Sequence, residues 1–159
     1  MKKQNLVAKI ILVLSLLSVL LLIVTPMQFL NFKGGIHAIW GWTGIFGGDM
    51  SLNLGEVEKV INIEFNWVIY VASILTVIMG VTTYLIAPKN KGYFIFSAIV
   101  FVILAIIFFT TKTWLNVLIN WPAGNAGYIA NPLGVGPWFA GLAASFTAIA
   151  SIVANRMTK

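Results

Sequence analysis

Ile10 to Val24 reads IILVLSLLSVLLLIV, fifteen residues with no charge and no helix breaker, and three later stretches are nearly as apolar. A helix rises 1.5 Å per residue, so about 20 apolar residues cross the roughly 30 Å of hydrocarbon in a bilayer. Four runs reach or approach that length: Asn5 to about Leu30, Trp67 to Ala87, Tyr93 to Thr111, and Trp138 to Ala154. Pro88 halts the second, and Pro137 opens the fourth at a favourable first-turn position. Of the 159 residues 60% are hydrophobic and only 9% charged, with a mean hydropathy of +0.97. Soluble domains carry about 25% charged residues. The expected fold class is an all-α membrane protein. It forms a four-helix transmembrane bundle in one integral domain over 1–159, with a small extracytoplasmic β-hairpin or sheet in the first outer loop.

The first run also carries marks of a secretory signal, with Lys2 and Lys3 ahead of an apolar stretch. That stretch is long, however, and TPMQFLN offers no small-x-small cleavage site, so an uncleaved first helix is expected. Charge then sets the orientation. Lys2, Lys3, Lys9, Lys89, Lys91, Arg156 and Lys159 fall at the N-terminus, in the loop between the second and third spans, and at the C-terminus. An even number of spans places those three regions on one side. All four acids, Asp49, Glu56, Glu58 and Glu64, fall in the first long loop on the other side. This is the positive-inside pattern, which makes both termini cytoplasmic and puts loops 31–66 and 112–137 outside. The net charge of +6 thus reads as a topology signal rather than a nucleic-acid surface. Lys-rich, cysteine-free usage fits the plasma membrane of a prokaryote.

The first outer loop alternates twice. Ile36, Ala38, Trp40 and Trp42 would share one face of a strand, with His37, Ile39, Gly41 and Thr43 on the other. Further on, Val57, Ile61, Ile63 and Phe65 alternate against the glutamates, with the turn-forming GGDMSLNLG between. Two antiparallel strands lying on the outer surface are expected. The second loop begins as an expected interfacial helix around Trp114 to Trp121, then turns rich in Pro, Gly and Asn.

Few residues offer chemistry. The chain has no cysteine and one histidine, His37, and a metal site ordinarily needs three or four donors at suitable spacing. Neither a metal nor a cofactor is expected. Glu56, Glu58 and Glu64 have spacings that fit a solvated strand face and match no calcium loop. No Asp, Glu, Arg or His lies within a span, and Lys9, near the inner edge, can snorkel. Intramembrane charges mark ion paths and proton relays, so their absence counts against a pump or a proton-coupled carrier. All six tryptophans (Trp40, Trp42, Trp67, Trp114, Trp121, Trp138) lie in or beside the outer half. They read as a one-sided interfacial belt, part of which forms a partner-binding surface of Trp40, Trp42, Phe46, Trp114 and Trp121.

The spans carry small residues in stripes. Ser73, Thr76, Gly80 and Thr83 fall on one face of the second span, and Ala140, Ala144, Ala148 and Ser151 on one face of the fourth, where Gly141 and Ser145 add a small-xxx-small pair. Such stripes let helix backbones approach closely. The third span, rich in Ile, Phe and Val, shows no comparable stripe and is expected to face mostly lipid.

Four spans, cytoplasmic termini, a larger first outer loop with strands and a smaller second one resemble the claudin-like tetraspan group. Trp40 and the triplet Gly44, Ile45, Phe46 stand where that group carries its Trp and Gly-Leu-Trp signature, but the spacing is shorter and its two cysteines are missing. The resemblance is one of architecture, and it implies adhesion, barrier or accessory roles. The expected function is a non-catalytic membrane protein acting through contacts with another membrane protein or a second copy, as an accessory or assembly subunit or an adhesion-type protein. Membrane lipid is an expected partner and nucleic acid is not. Two other readings stay open: a small transporter or channel component with a polar path along Ser73, Thr76, Gly80 and Thr83, and an enzyme using His37 and the carboxylates.

Overall fold

The structure, a computed structural model, describes residues 2–32, 35–53, 58–111, 117–119 and 134–157. Four of its helices are long and apolar enough to cross a membrane: α1 (Lys2–Val24), α3 (Trp67–Ile86), α4 (Gly92–Phe109) and α5 (Val135–Arg156). Between the first two of these lie β1 (Pro26–Phe32), β2 (Gly35–Trp40), the short helix α2 (Gly41–Phe46), β3 (Gly48–Asn53) and β4 (Glu58–Ile63). A short strand β5 (Val117–Ile119) precedes α5. The molecule is mostly helical, with small antiparallel sheets at one end of the bundle.

The first helix ends at Val24, not near Leu30 as the hydropathy run implied. Pro26 has no N–H to donate back to the helix, and it biases Thr25 away from helical angles. The residues that follow, although apolar, extend as β1 and pair with β2 from Phe29↔Ala38 to Phe32↔Gly35, with an irregularity between Pro26 and Gln28. The expected pairing of the two alternating segments is therefore corrected. β2 turns back on β1, while β4 pairs with β3, Gly48↔Ile63 to Asn53↔Glu58, so the turn-rich stretch supplies a strand of its own. Trp42 is on α2 rather than on a strand. The second loop also differs from expectation: Val117–Ile119 is a strand pairing with Ile61–Ile63, not part of an interfacial helix.

The long helices alternate in direction, so both described termini and the Pro88–Lys91 turn share the end opposite the strands. Each helix turns a seven-residue seam inward. In α4 this seam is Phe94, Phe101 and Phe108, with Ser97 and Leu104, then Ala98 and Ala105, beside them. In α5 it is Pro137, Ala144 and Ser151, with Ala140, Thr147 and Ala154. The same repeat in α1 buries Gln4, Ile11 and Ser18, with Ala8, Ser15 and Leu22. Heptad seams belong to bundles whose helices cross at about 20°. The interior is rich in small and hydroxyl side chains, whereas Leu16, Leu20, Ile78, Ile99 and Ile106 lie exposed on the outside. In water that distribution would expose the apolar bulk; in lipid it costs nothing and lets backbones approach.

The third span turns most of its residues outward, as expected, but it also carries a packed inner seam. α4 packs on α5 more extensively than any other pair of elements. Phe94, Phe101 and Phe108 are completely buried there, and only its other face, with Ile99, Val102 and Ile106, is exposed.

Candidate functional site

Residues 37–49 occupy the strand end of the bundle. β2 carries His37, half-buried, to Trp40, whose extended backbone starts α2. The Gly41 N–H donates to the carbonyl of Thr25 at 3.0 Å, so the start of α2 is tied to the end of α1. A Cβ on Gly41 would stand 2.7 Å from the carbonyl carbon of Leu22 and 2.9 Å from Cα of Ile23. Only a residue without a side chain brings α2 that close. At the other end of α2, the Ile45 carbonyl accepts from the Asn66 N–H at 2.9 Å, and the Asn66 side chain accepts from the Ile69 N–H at 3.1 Å to cap α3. The short helix is thus clamped between α1 and α3, with Ile45 buried beneath it.

This clamp pushes aromatic rings outward. Trp42 lies on Phe46 with ring centroids 4.2 Å apart, Phe46 meets Tyr70 edge-on at 5.8 Å, and Tyr70 meets Phe65 at 5.4 Å. Trp42 keeps 59% of its surface exposed, Phe65 50% and Trp67 66%, while Trp40 and Phe46 are also exposed. Trp138, exposed at the start of α5, packs edge-on against Phe109 at 5.3 Å. Trp114 and Trp121 lie outside the described residues, as does Glu56.

The carboxylates do not converge. Asp49 lies on β3 with its Cα opposite that of Asn62, Glu58 lies on β4 opposite Asn53, and Glu64 is exposed beyond β4. Among the described residues no three His, Asp or Glu side chains come together as a metal site would require. Sequence gave no hint that Phe65 and Tyr70 would join the aromatic group, because the link runs through α2, whose helical turn the strand-like alternation concealed.

The small-residue stripes face into the bundle. Ser73, Thr76, Gly80 and Thr83 are all buried, and at Gly80 an added Cβ would stand 2.7 Å from Cβ of Ser15. Ser73 and Thr76 donate to the carbonyls of Ile69 and Ala72, at 2.8 and 2.7 Å, within their own helix. Thr83 donates to Ser97 of α4 at 2.8 Å. Ser97 lies 3.4 Å from Ser151 of α5, which donates to the Thr147 carbonyl at 2.9 Å. On α5, Ala140, Gly141, Ala144 and Ala148 are buried and Ser145 is half-buried. The Ala140 carbonyl accepts from Ser18 of α1 at 2.9 Å, and Gly141 admits the ring of Phe109. Sequence reading missed Ser15, Ser18, Ser97 and the phenylalanine seam of α4. The recurrence of Phe at every seventh residue, 94, 101 and 108, was the available signal.

No protein-family model matches this chain, no curated protein matches it, and no solved structure matches its fold. The four long apolar helices fit a tetraspan architecture; no family match points to the claudin-like group in particular.

Proposed function

We propose that this chain is a non-catalytic tetraspan integral membrane protein that works through protein contacts at its strand end, as an accessory or assembly subunit or an adhesion-type protein. In this reading both termini are cytoplasmic, 31–66 and 112–137 face outward, and the membrane is a prokaryotic plasma membrane. The observation that carries it is the row of exposed rings, Trp40, Trp42 and Phe46 with Phe65 and Trp67, held out by a clamped backbone. Aromatic residues are enriched in interface cores and at contact hot spots. An interfacial belt alone accounts for single rings at headgroup depth. It gives no reason to anchor α2 at both ends. The group that would line a transport path, Ser73, Thr76, Gly80 and Thr83, is buried instead: Gly80 faces Ser15 of α1, Thr83 donates to Ser97 of α4, and the hydroxyls of Ser73 and Thr76 donate within their own helix. That favours contact over transport.

Chemical crosslinking in native membranes, followed by pull-down, tests this directly. The double replacement Trp40→Ala with Trp42→Ala is expected to lose the crosslinked partner while the protein still inserts. Retention of the partner at wild-type yield refutes the contact surface. Orientation has its own test, because the chain contains no cysteine. A cysteine placed at Asp49 should react with a membrane-impermeant maleimide in intact cells, and one at Lys89 should not.

A further inference from the structure

The seam between α1 and α3 is not uniform. It closes at Gly80 against Ser15, and at the strand end α2 wedges between the two helices. Between these points lies a groove of about 300 Å³. Val19 and Ile23 of α1 form one wall, Ser73 and Val77 of α3 the other, and Ile45 and Phe46 of α2 the roof. Its α3 side runs from Tyr70 to Ile78, about 12 Å at 1.5 Å per residue. Tyr70, Ile74, Val77 and Ile78 lie on the outward side of α3, so the groove opens laterally, away from the bundle interior.

We infer that this groove holds one acyl chain of a membrane phospholipid from the leaflet on the strand side. The inference rests on the membrane placement proposed above and is independent of the protein partner. Size and chemistry select the occupant. The volume is about twice that of the roughly 150 Å³ cavity that accepts one benzene, which is room for about a dozen carbons in single file. A helix is about 10 Å across with its side chains and does not enter a slot of this volume. Nine residues line the groove, where a stable protein interface draws on about 20–30 residues a side. The surface it presents is apolar: of its two polar side chains, Ser73 donates to its own helix, and Tyr70 contributes a ring that packs on Phe46 and Phe65. An occupant with polar groups over this length would leave them unsatisfied, whereas hydrocarbon leaves none. The roof also does not swing freely, since α2 is hydrogen-bonded to the end of α1 and the start of α3. Phe46 is both roof and neighbour of Trp42, so the chain in the groove supports the ring that the proposed contact surface exposes.

The test uses full-length protein in vesicles of phosphatidylethanolamine and phosphatidylglycerol, doped with a phosphatidylglycerol that carries a diazirine midway along one acyl chain. After irradiation, labelled peptides are mapped by mass spectrometry. Label is expected to concentrate several-fold on Val19–Ile23 and Tyr70–Ile78 relative to the exposed face of α4 at Ile99, Val102 and Ile106. Filling the groove with Val77→Trp should remove that excess and leave labelling of α4 unchanged. If Val77→Trp does not elute as a monodisperse folded species, Ile74→Trp at the exposed rim serves in its place. Equal labelling of groove and α4, or an excess that survives filling, overturns the inference and leaves the membrane placement standing. Absence of label on every helix overturns both. A Val77→Cys variant that oxidises to a dimer in the same vesicles would also overturn it, in favour of a second copy as occupant.

Discussion

Gly80→Ala is the substitution whose outcome the helix seam fixes most sharply. The added Cβ would lie 2.7 Å from Cβ of Ser15 and nearer still to its hydroxyl oxygen. Carbon atoms rest comfortably at about 3.5–4.0 Å. The hydroxyl can rotate, but the Ser15 Cβ moves only with its backbone, so α1 must retreat by about 1 Å. Overpacking of this kind costs about 1–3 kcal/mol. Alanine also favours a helix over glycine by about 1 kcal/mol, so the net loss is up to about 2 kcal/mol. Ser15→Gly removes the obstacle at a propensity cost of about 0.5 kcal/mol. In that background Gly80→Ala should change sign and stabilise the protein. The double-mutant cycle therefore carries a coupling of about 1–3 kcal/mol, well above the error expected for independent sites. Unfolding by denaturing detergent titrated into mild micelles, followed by far-ultraviolet circular dichroism, reads all four corners. If Gly80→Ala has the same effect with and without Ser15→Gly, α1 and α3 do not meet at this pair and the described seam is wrong.

Three further substitutions follow from the same packing. Gly41→Ala drives a Cβ into the backbone of Leu22, which has no rotamer to yield. Its cost is about 1–3 kcal/mol, seen as faster protease cleavage between residues 26 and 53, whereas Gly92→Ala, with its nearest neighbour at 3.5 Å, is silent in the same assay. Phe101→Ala opens a cavity in the α4–α5 seam. Its cost in the micelle titration should fall below the roughly 3–5 kcal/mol of soluble cores, because a phenylalanine released from the bundle there enters detergent hydrocarbon rather than water; an unchanged midpoint would refute its burial. Ser97→Ala removes the acceptor of Thr83 and should cost about 0.6 kcal/mol, the average for interhelical hydrogen bonds in membranes, and no more than about 1.7 kcal/mol.

How much of this was legible in the sequence depended on the range of the interactions. The helices follow from composition summed over about 20 residues, and the inward faces of α3 and α5 follow from small residues at helical spacing. The inward face of α4 follows the same repeat with Phe in place of Ala, and a search for small residues alone passes over it. The strand end was harder. Met27, Phe29 and Leu30 carry apolar character past the span with only Gln28 between them, so a reading by hydropathy runs through the stop that Pro26 imposes. Alternation marked Gly35–Trp40 and Glu58–Ile63 as strands, yet their partners are set by which neighbour lies close along the chain: β1 for β2 and β3 for β4. Trp42 looked like the next outward residue of a strand because Gly41–Phe46, at six residues, is too short to show a helical period of its own. Only the contact of Gly41 with Leu22, a three-dimensional fact, turns the chain into a helix there.

The seams also differ in strength, and this places any response to binding. Among the four adjoining pairs of long helices, α4 with α5 and α1 with α5 pack most extensively, then α1 with α3, and α3 with α4 least. The α3 helix is therefore the least anchored of the four. It is held by Ser15 at Gly80, by the Thr83–Ser97 hydrogen bond toward the basic end, and by Asn66 at the strand end. The groove and the exposed rings both border this same helix, through Tyr70, Ser73 and Phe65. A ligand that fills the groove adds contacts between α3 and α1 near the strand end, and a ring held by α3 then presents a fixed rather than a wandering surface. Local stability follows local packing, so hydrogen exchange in α3 should be faster than in α5, and phospholipid should slow it between Tyr70 and Ile78 more than between Val81 and Ile86. Slowing that is uniform along the helix would mean that lipid acts on the bundle as solvent alone.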